Sequence, residues 1–145
     1  MRVVALLLAS VALMGCGMLP SAPPDWVANR EELPSCGAED AGHRTYDAAA
    51  RTCLLDAYRA GQAAELISTE LTIEGDPITR YLRVHPDATI EIFVDSTRDT
   101  FGSGGWERVI CEDLIPVAEI NDPPDIFYPE EMMFLEELCV AVPVG

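Results

Sequence analysis

The chain has 145 residues, about half of them hydrophobic, which is enough for one domain with a modest core. Its formal net charge is −16, and all nine basic residues are arginines. This charge argues against a nucleic-acid-binding class, because such a chain cannot replace the counterions along a phosphate backbone. It also disfavours a surface lying flat on anionic lipid, where basic clusters are needed. A cationic partner or divalent metal is allowed, although a solubilising negative surface is the simpler interpretation.

Residues 1–15 are predicted to be an export signal. Arg2 supplies the positive start, and residues 3–14 form an apolar stretch broken only by Ser10. A permanent membrane helix would need about 20 apolar residues, so this stretch is too short. The sequence Ala-Leu-Met-Gly-Cys-Gly ends the stretch and resembles the bacterial lipobox, so we expect lipidation at Cys16. The alternatives are a buried N-terminal helix and a signal peptide cut at another position.

Residues 16–24 are predicted to be a lipidated tether, in which three prolines favour an extended chain. Residues 25–145 then form a single extracytoplasmic domain. Its first element is a predicted short helix over residues 25–33, capped by Asp25 and with Trp26 as an apolar anchor. A polar loop that carries the first domain cysteine is expected to follow over residues 34–45.

Residues 48–60 are predicted to form the main helix. Asp47 is a suitable N-cap, and Gly61 lies where a left-handed C-cap residue is expected. Apolar residues recur at spacings of three and four, at Ala50, Cys53, Leu54, Ala57 and Tyr58. We therefore expect this face, including Cys53, to be buried.

A period of two from residue 66 onward predicts short strands. They cover residues 66–73, 78–84, 89–95 and 106–112. Tight turns connect the first three, so these strands should pair as an antiparallel meander. In the third strand, the faces alternate between Ile90, Ile92 and Val94 on one side and Glu91, Phe93 and Asp95 on the other.

The C-terminal part is predicted to be a proline-rich acidic loop over residues 115–129 and a final helix over residues 130–138, whose acidic start suits the helix dipole. Together the elements predict an α+β fold. It has a central helix packed on a small antiparallel sheet of about four strands.

The cysteines predict two disulfides that staple this domain. With Cys16 lipidated, four cysteines remain, namely Cys36, Cys53, Cys111 and Cys139. An even number in an exported chain favours two bridges, and three connectivities are open. Pairing Cys36 with Cys53 and Cys111 with Cys139 is preferred, because it joins near neighbours in the chain. A zinc site is a poorer interpretation, since there is no Cys-x-x-Cys pair.

Two motifs are distinctive. They are Glu-Gly-Asp-Pro-Ile at residues 74–78 and Asp-Ser-Thr-Arg-Asp-Thr-Phe-Gly at residues 95–102. As a pair they resemble an uncharacterised family of small Gram-positive bacterial lipoproteins, with similarity over residues 64–111. The resemblance implies a tethered α+β domain at the cell membrane or cell envelope, and it implies no reaction.

The motifs also supply candidate ligand or metal residues, which are Glu74, Asp76, Asp95, Thr97 and Asp99. If they gather at one end of the sheet, their hard oxygen atoms suit calcium. The second motif opens like an EF-hand loop, but its sixth and twelfth positions are Thr100 and Trp106, where Gly and Glu are needed. Turn and strand-end structure is the simpler interpretation.

No catalytic residue is assigned. Residues 101–107 match neither a nucleophile elbow nor a dinucleotide fingerprint, and neither His43 nor His85 has a suitable nucleophile nearby in the sequence. We expect a non-catalytic binding or interaction module without a cofactor, held on the membrane by its lipid and facing an envelope protein. The alternatives are a small hydrolase using carboxylates near Asp76 and Asp95, and an envelope protein stabilised by calcium.

Overall fold

The computed structural model describes residues 22–42, 46–102, 104–116, 134–135 and 139–144. Within these residues the elements are α1 (Asp25–Ala28), β1 (Ser35–Gly42), α2 (Ala48–Arg59), β2 (Ala64–Leu71), β3 (Pro77–Val84), β4 (Ile90–Asp95), β5 (Trp106–Cys111), β6 (Ile115–Pro116), β7 (Phe134–Leu135) and β8 (Cys139–Ala141). The predicted signal peptide (residues 1–15), Cys16, most of the tether, His43 and most of residues 115–138 lie outside the described residues.

The main sheet has six strands in the order β1-β2-β3-β4-β5-β8. Strands β2 to β5 form an antiparallel meander, and β8 extends it at the β5 edge. Strand β1 pairs in parallel with β2. A parallel pair needs a crossover connection, and α2 supplies it. The two short strands β6 and β7 form a separate antiparallel ribbon.

The predicted fold class, a central helix on an antiparallel sheet of about four strands, is therefore wrong. The protein is mostly sheet, and the sheet is mixed and six-stranded. Residues 34–45, predicted as loop, contain β1, whose sequence Ser-Cys-Gly-Ala-Glu-Asp-Ala-Gly lacks the apolar alternation of the meander. Residues 134–135, predicted as helix, form β7, and residues 115–116, predicted as loop, form β6.

Helix α2 covers one face of the sheet, and the hydrophobic core lies between the helix and that face. Leu54 is fully buried at its centre. The sheet and the following loop contribute Ala64, Leu66, Leu82, Val84, Ile90, Ile92, Cys111 and Leu114. The predicted alternation along β4 is confirmed, because Ile90 and Ile92 belong to this core. Burying one such aliphatic side chain stabilises a fold by about 1.5–3 kcal/mol.

The predicted ends of the main helix are confirmed. The Asp47 carboxylate accepts hydrogen bonds from the amides of Ala49 and Ala50. At the other end Gly61 has a left-handed φ of 62°, and its amide donates to the carbonyl of Tyr58. These bonds satisfy backbone groups that a helix end leaves free.

The predicted buried face of the helix is confirmed except at Cys53, since Ala50 and Leu54 belong to the core and Ala57 and Tyr58 pack against it. Arg51 is only 4% exposed, whereas Cys53 lies at the surface. The prediction that Cys53 faces the core is wrong, because the cysteine lies on the flank of the helix where it can reach β1. There it forms a disulfide with Cys36.

A buried ion pair holds β1 against α2. The Arg51 guanidinium donates to Glu39 Oε1 from Nε at 2.9 Å and from Nη2 at 2.6 Å. The other carboxylate oxygen of Glu39 accepts the amide of Asp47, the helix N-cap residue, at 2.7 Å. Arg51 also lies 3.9 Å from the centre of the Tyr46 ring. These polar contacts explain how a strand with few apolar residues stays in the sheet.

Two disulfides fasten the edges of the sheet. Cys36 is bonded to Cys53, and Cys111 to Cys139, which is the pairing preferred from the sequence. Disulfides persist in oxidising compartments, so they indicate an extracytoplasmic location. Among the described residues, no helix has the length and hydrophobicity needed to span a bilayer.

We predict that Glu39→Ala destabilises the fold by about 3–5 kcal/mol, because it leaves the buried charge of Arg51 without its principal partner. The measurement is urea unfolding at neutral pH. The control is Glu107→Ala, which removes the same charge from an exposed position on β5. A loss for Glu39→Ala no larger than that of the control would contradict the prediction.

Candidate functional site

The sheet face turned away from α2 carries charged and aromatic side chains. Alternation places Arg83, Glu91 and Phe93 on this outer face, and the register aligns them across the sheet. Arg83 lies between Glu65 and Glu91 on the neighbouring strands. Phe93 pairs in the same way with Arg108. The outer face therefore has one row of alternating charge beside a row that holds aromatic rings and Arg108.

The N-terminal helix lies on this outer face. The Trp26 ring meets the Phe93 ring edge-on, with ring centres 5.3 Å apart, which agrees with the interpretation of Trp26 as an apolar anchor. The helix is shorter than predicted, and its N-cap is Pro24 rather than Asp25. Beyond it, the Arg30 guanidinium lies 4.7 Å from the centre of the Tyr81 ring.

Arg30 forms a closed pair with Glu65. Its Nε and Nη2 atoms donate to the two carboxylate oxygens at 3.0 and 3.1 Å. These hydrogen bonds raise the pKa of Arg30, so the guanidinium stays charged. Glu65 also lies 3.2 Å from Nε of Arg83, although that N–H has no well-aligned hydrogen-bond acceptor among the described residues.

Arg83 is the buried cation of this face. Its side chain is 3% exposed. Its Nη1 atom donates to Glu91 Oε2 at 3.0 Å, and its Nη2 atom donates to the backbone carbonyl of Glu31 at 2.6 Å. A buried guanidinium needs such partners, because an unpaired charge in the interior is strongly destabilising.

Glu91 connects several cationic side chains. Its Oε1 atom accepts Nε of Arg108 at 2.7 Å and lies 2.6 Å from Nη2 of the same residue. Its Oε2 atom accepts Arg83 and lies 3.4 Å from Nε2 of His85. One buried carboxylate thus serves two guanidinium groups and borders an imidazole.

A cleft of about 400 Å³ opens over this network. Arg83, Glu91 and Arg108 give it a charged lining, and Trp26 with Phe93 gives it aromatic rings. The C-terminal residues Pro143 and Val144 add an apolar rim. Small-ligand sites are usually mostly apolar with a few converging polar groups, and this cleft has a more polar lining than that.

The residues predicted as ligands lie elsewhere, at the ends of β3 and β4 remote from His85. Asp76 accepts the amide of Thr100 at 2.8 Å and also its hydroxyl. Through this contact the turn after β2 meets the loop after β4. The structure therefore joins the two distinctive motifs physically.

The other motif residues stabilise their own loop. Asp95 accepts the amide and the hydroxyl of Thr97 at 3.0 and 2.7 Å. Asp99 accepts the amides of Phe101 and Gly102. A Cβ atom at position 102 would overlap the Asp99 carboxylate, so a larger residue there would displace that carboxylate from these amides. These contacts are those of turn-forming residues.

The acidic motif residues do not converge on a cation site in the described part of the chain. Glu74 is exposed in its turn. Nowhere in residues 22–42, 46–102, 104–116, 134–135 and 139–144 do three or more His, Cys, Asp or Glu side chains form a group that could hold a metal ion.

Sequence reasoning missed the cleft, although part of the signal was present. Arg83 and Glu91 interrupt strands that are otherwise suited to a core, and Arg108 lies on the same face of the next strand, opposite Phe93. His85, which has no suitable nucleophile nearby in the sequence, borders Glu91 in the fold. The contribution of α1 and of Pro143 depends on tertiary packing that no local pattern reveals.

Comparison with known proteins adds no relative, since no family model, curated protein or solved structure matches this chain.

The Asp76–Thr100 contact generates a prediction about pH. The hydrogen bonds from Thr100 hold the pKa of Asp76 below its ordinary value. The ionised carboxylate therefore stabilises the fold above the unfolded pKa, and this contribution is lost as the pH falls through the lowered folded pKa.

We predict that Asp76→Ala lowers the melting temperature at neutral pH and that the difference from the parent chain shrinks in acid. Melting curves over a pH series measure it. Glu74→Ala serves as the control, since it removes a charge from the same turn. An Asp76→Ala difference that persisted unchanged at the acid end would contradict the proposed bond.

Proposed function

We propose that this chain is a lipid-anchored protein of the cell envelope whose domain binds a ligand or partner in the outer-face cleft, without catalysis. The observation that carries this proposal is the cleft itself, in which Trp26 and Phe93 stand beside the Arg83–Glu91–Arg108 network.

The anchor is supported by the N-terminal sequence. The lipobox-like sequence ends at Cys16, and a proline-containing tether follows it. The two disulfides agree with export. The stretch from Cys16 to Trp26 reaches at most about 35 Å when fully extended. A lipid on Cys16 would therefore keep the cleft close to the membrane surface.

Recognition is supported by the chemistry of the cleft. Buried ion pairs rarely stabilise a fold more than apolar residues of the same volume would. The sheet already has an aliphatic core on its other face. The exposed guanidinium of Arg108 and the Trp26 ring, which border an open cleft, are therefore better explained by binding than by stability.

The alternatives have no comparable support. A hydrolase using Asp76 and Asp95 would need free carboxylates, but each is occupied by a neighbouring threonine. A calcium site would need converging oxygen ligands, and none is found among the residues whose positions are described.

The anchor is tested by Cys16→Ser in the producing bacterium. The parent chain should incorporate an alkyne-labelled fatty acid and sediment with membranes, whereas Cys16→Ser should lose the label. Met18→Ser is the matched control, because it changes a nearby tether residue without removing the thiol. A parent chain that carries no label would overturn the anchor.

Ligand binding in the cleft is tested by NMR on the Cys16→Ser chain. A set of small aromatic compounds of positive, negative and zero charge is added at millimolar concentration. At least one compound should shift the Trp26 indole and Arg108 side-chain signals in a saturable way. If no compound shifts either signal, the cleft is not a binding site.

A further inference from the structure

We propose that the cleft takes an amphipathic monoanion, with a carboxylate or phosphate head on a small apolar body. This inference rests on the proposed function, since it assigns a ligand class to the same cleft. It follows from the exposed guanidinium of Arg108, from the free Nη1 group of that residue and from the apolar side of the lining.

The ion-paired network holds three guanidinium groups, those of Arg30, Arg83 and Arg108, and two carboxylates, those of Glu65 and Glu91. The exposed side chain of Glu31 also lines the cleft, so the formal charges of these six side chains sum to zero. Attraction of an anion therefore depends on which positive charge is accessible from the cleft, and the accessible one is that of Arg108.

Arg108 is the group that can receive the anion. Its side chain is 38% exposed, whereas that of Arg83 is 3% exposed. Arg108 contacts Glu91 through Nε and Nη2, and its Nη1 atom has no partner among the described residues. A guanidinium carries five donors in a fixed plane and suits a carboxylate or phosphate. The neighbouring His85, which also lines the cleft, adds a second polar group.

The other side of the cleft suits an apolar body. Trp26 offers a partly exposed ring surface, and Val144 is 39% exposed. A volume of about 400 Å³ lies toward the lower end of the range for ligand sites. A head group with one ring or a short chain fits this space better than a polymer does. The acidic remainder of the chain would also repel a polyanion.

The same head chemistry occurs in two sources. One is a free carboxylic acid or phosphate ester in the envelope. The other is the headgroup of a membrane phospholipid, which the tether would keep within reach. The proposal concerns the shared chemistry, and the experiment separates the sources.

The test uses individual probes on the Cys16→Ser chain, followed by NMR. Benzoate and phenyl phosphate should shift the Trp26 and Arg108 signals in a saturable way, and acetate should bind more weakly because it lacks the ring. Benzylamine and benzyl alcohol should leave these signals in place. Sedimentation with phosphatidylglycerol vesicles, competed by phenyl phosphate, indicates the lipid source. Probe binding without vesicle binding indicates the free source.

Variants then test the residues. Arg108→Gln should weaken benzoate binding by about tenfold or more, as loss of a charge-assisted hydrogen bond predicts. Arg98→Gln is the matched control, because it removes the same charge from an exposed loop at the far end of the sheet. Val144→Asp should also weaken binding by placing a negative charge at the rim. It leaves the ionic network intact, so it remains informative if Arg108→Gln fails to fold.

Three results would overturn the inference. If benzylamine or benzyl alcohol shifts the cleft signals and the anions do not, the ligand class is wrong while binding in the cleft stands. If Arg98→Gln weakens benzoate binding as much as Arg108→Gln and Val144→Asp does, the effect comes from overall charge and not from the cleft. Silence from every probe would remove the cleft from the proposed function as well.

Discussion

The Glu91 carboxylate is the group on which the outer face of the sheet depends. It lies on β4 and receives Arg83 from β3 and Arg108 from β5, so it ties three adjacent strands through side chains as well as backbone. Without it, two guanidinium groups would repel each other across a low-dielectric surface. The same contacts hold Arg108 in the cleft that Trp26 also lines. The Glu91 carboxylate therefore both stabilises the outer face and positions the charged lining of the cleft.

A second buried carboxylate has the same role on the other side of the sheet. Glu39 accepts Arg51 from α2 and the amide of Asp47, so it fixes both the edge strand and the start of the helix. In both cases an acid on a strand satisfies arginine from a neighbouring element. Directional contacts of this kind specify a register that apolar contacts alone leave loose, because each donor must meet its acceptor.

The sequence predicted those elements whose signals are local. The main helix has an N-cap at Asp47 and a left-handed glycine at Gly61, and both signals depend only on nearby backbone. The meander follows from a period of two and tight turns. Strand β1 was missed because its partners, Arg51 and Cys53, belong to a later helix. The cleft was missed for the same reason, since α1, β3 to β5 and the C-terminal residues meet there only after folding.

The Cys111–Cys139 disulfide makes the complete cleft depend on the oxidation state of these cysteines. Strand β8 has three residues, and the disulfide fixes it to β5 directly before Pro143 and Val144, which line the cleft. The amide of Val142 donates to the carbonyl of Arg108, which continues this attachment toward the rim. A reduced chain would hold so short a strand only weakly. Completion of the cleft is thus linked to oxidation, and a newly made chain in a reducing compartment would lack a finished site.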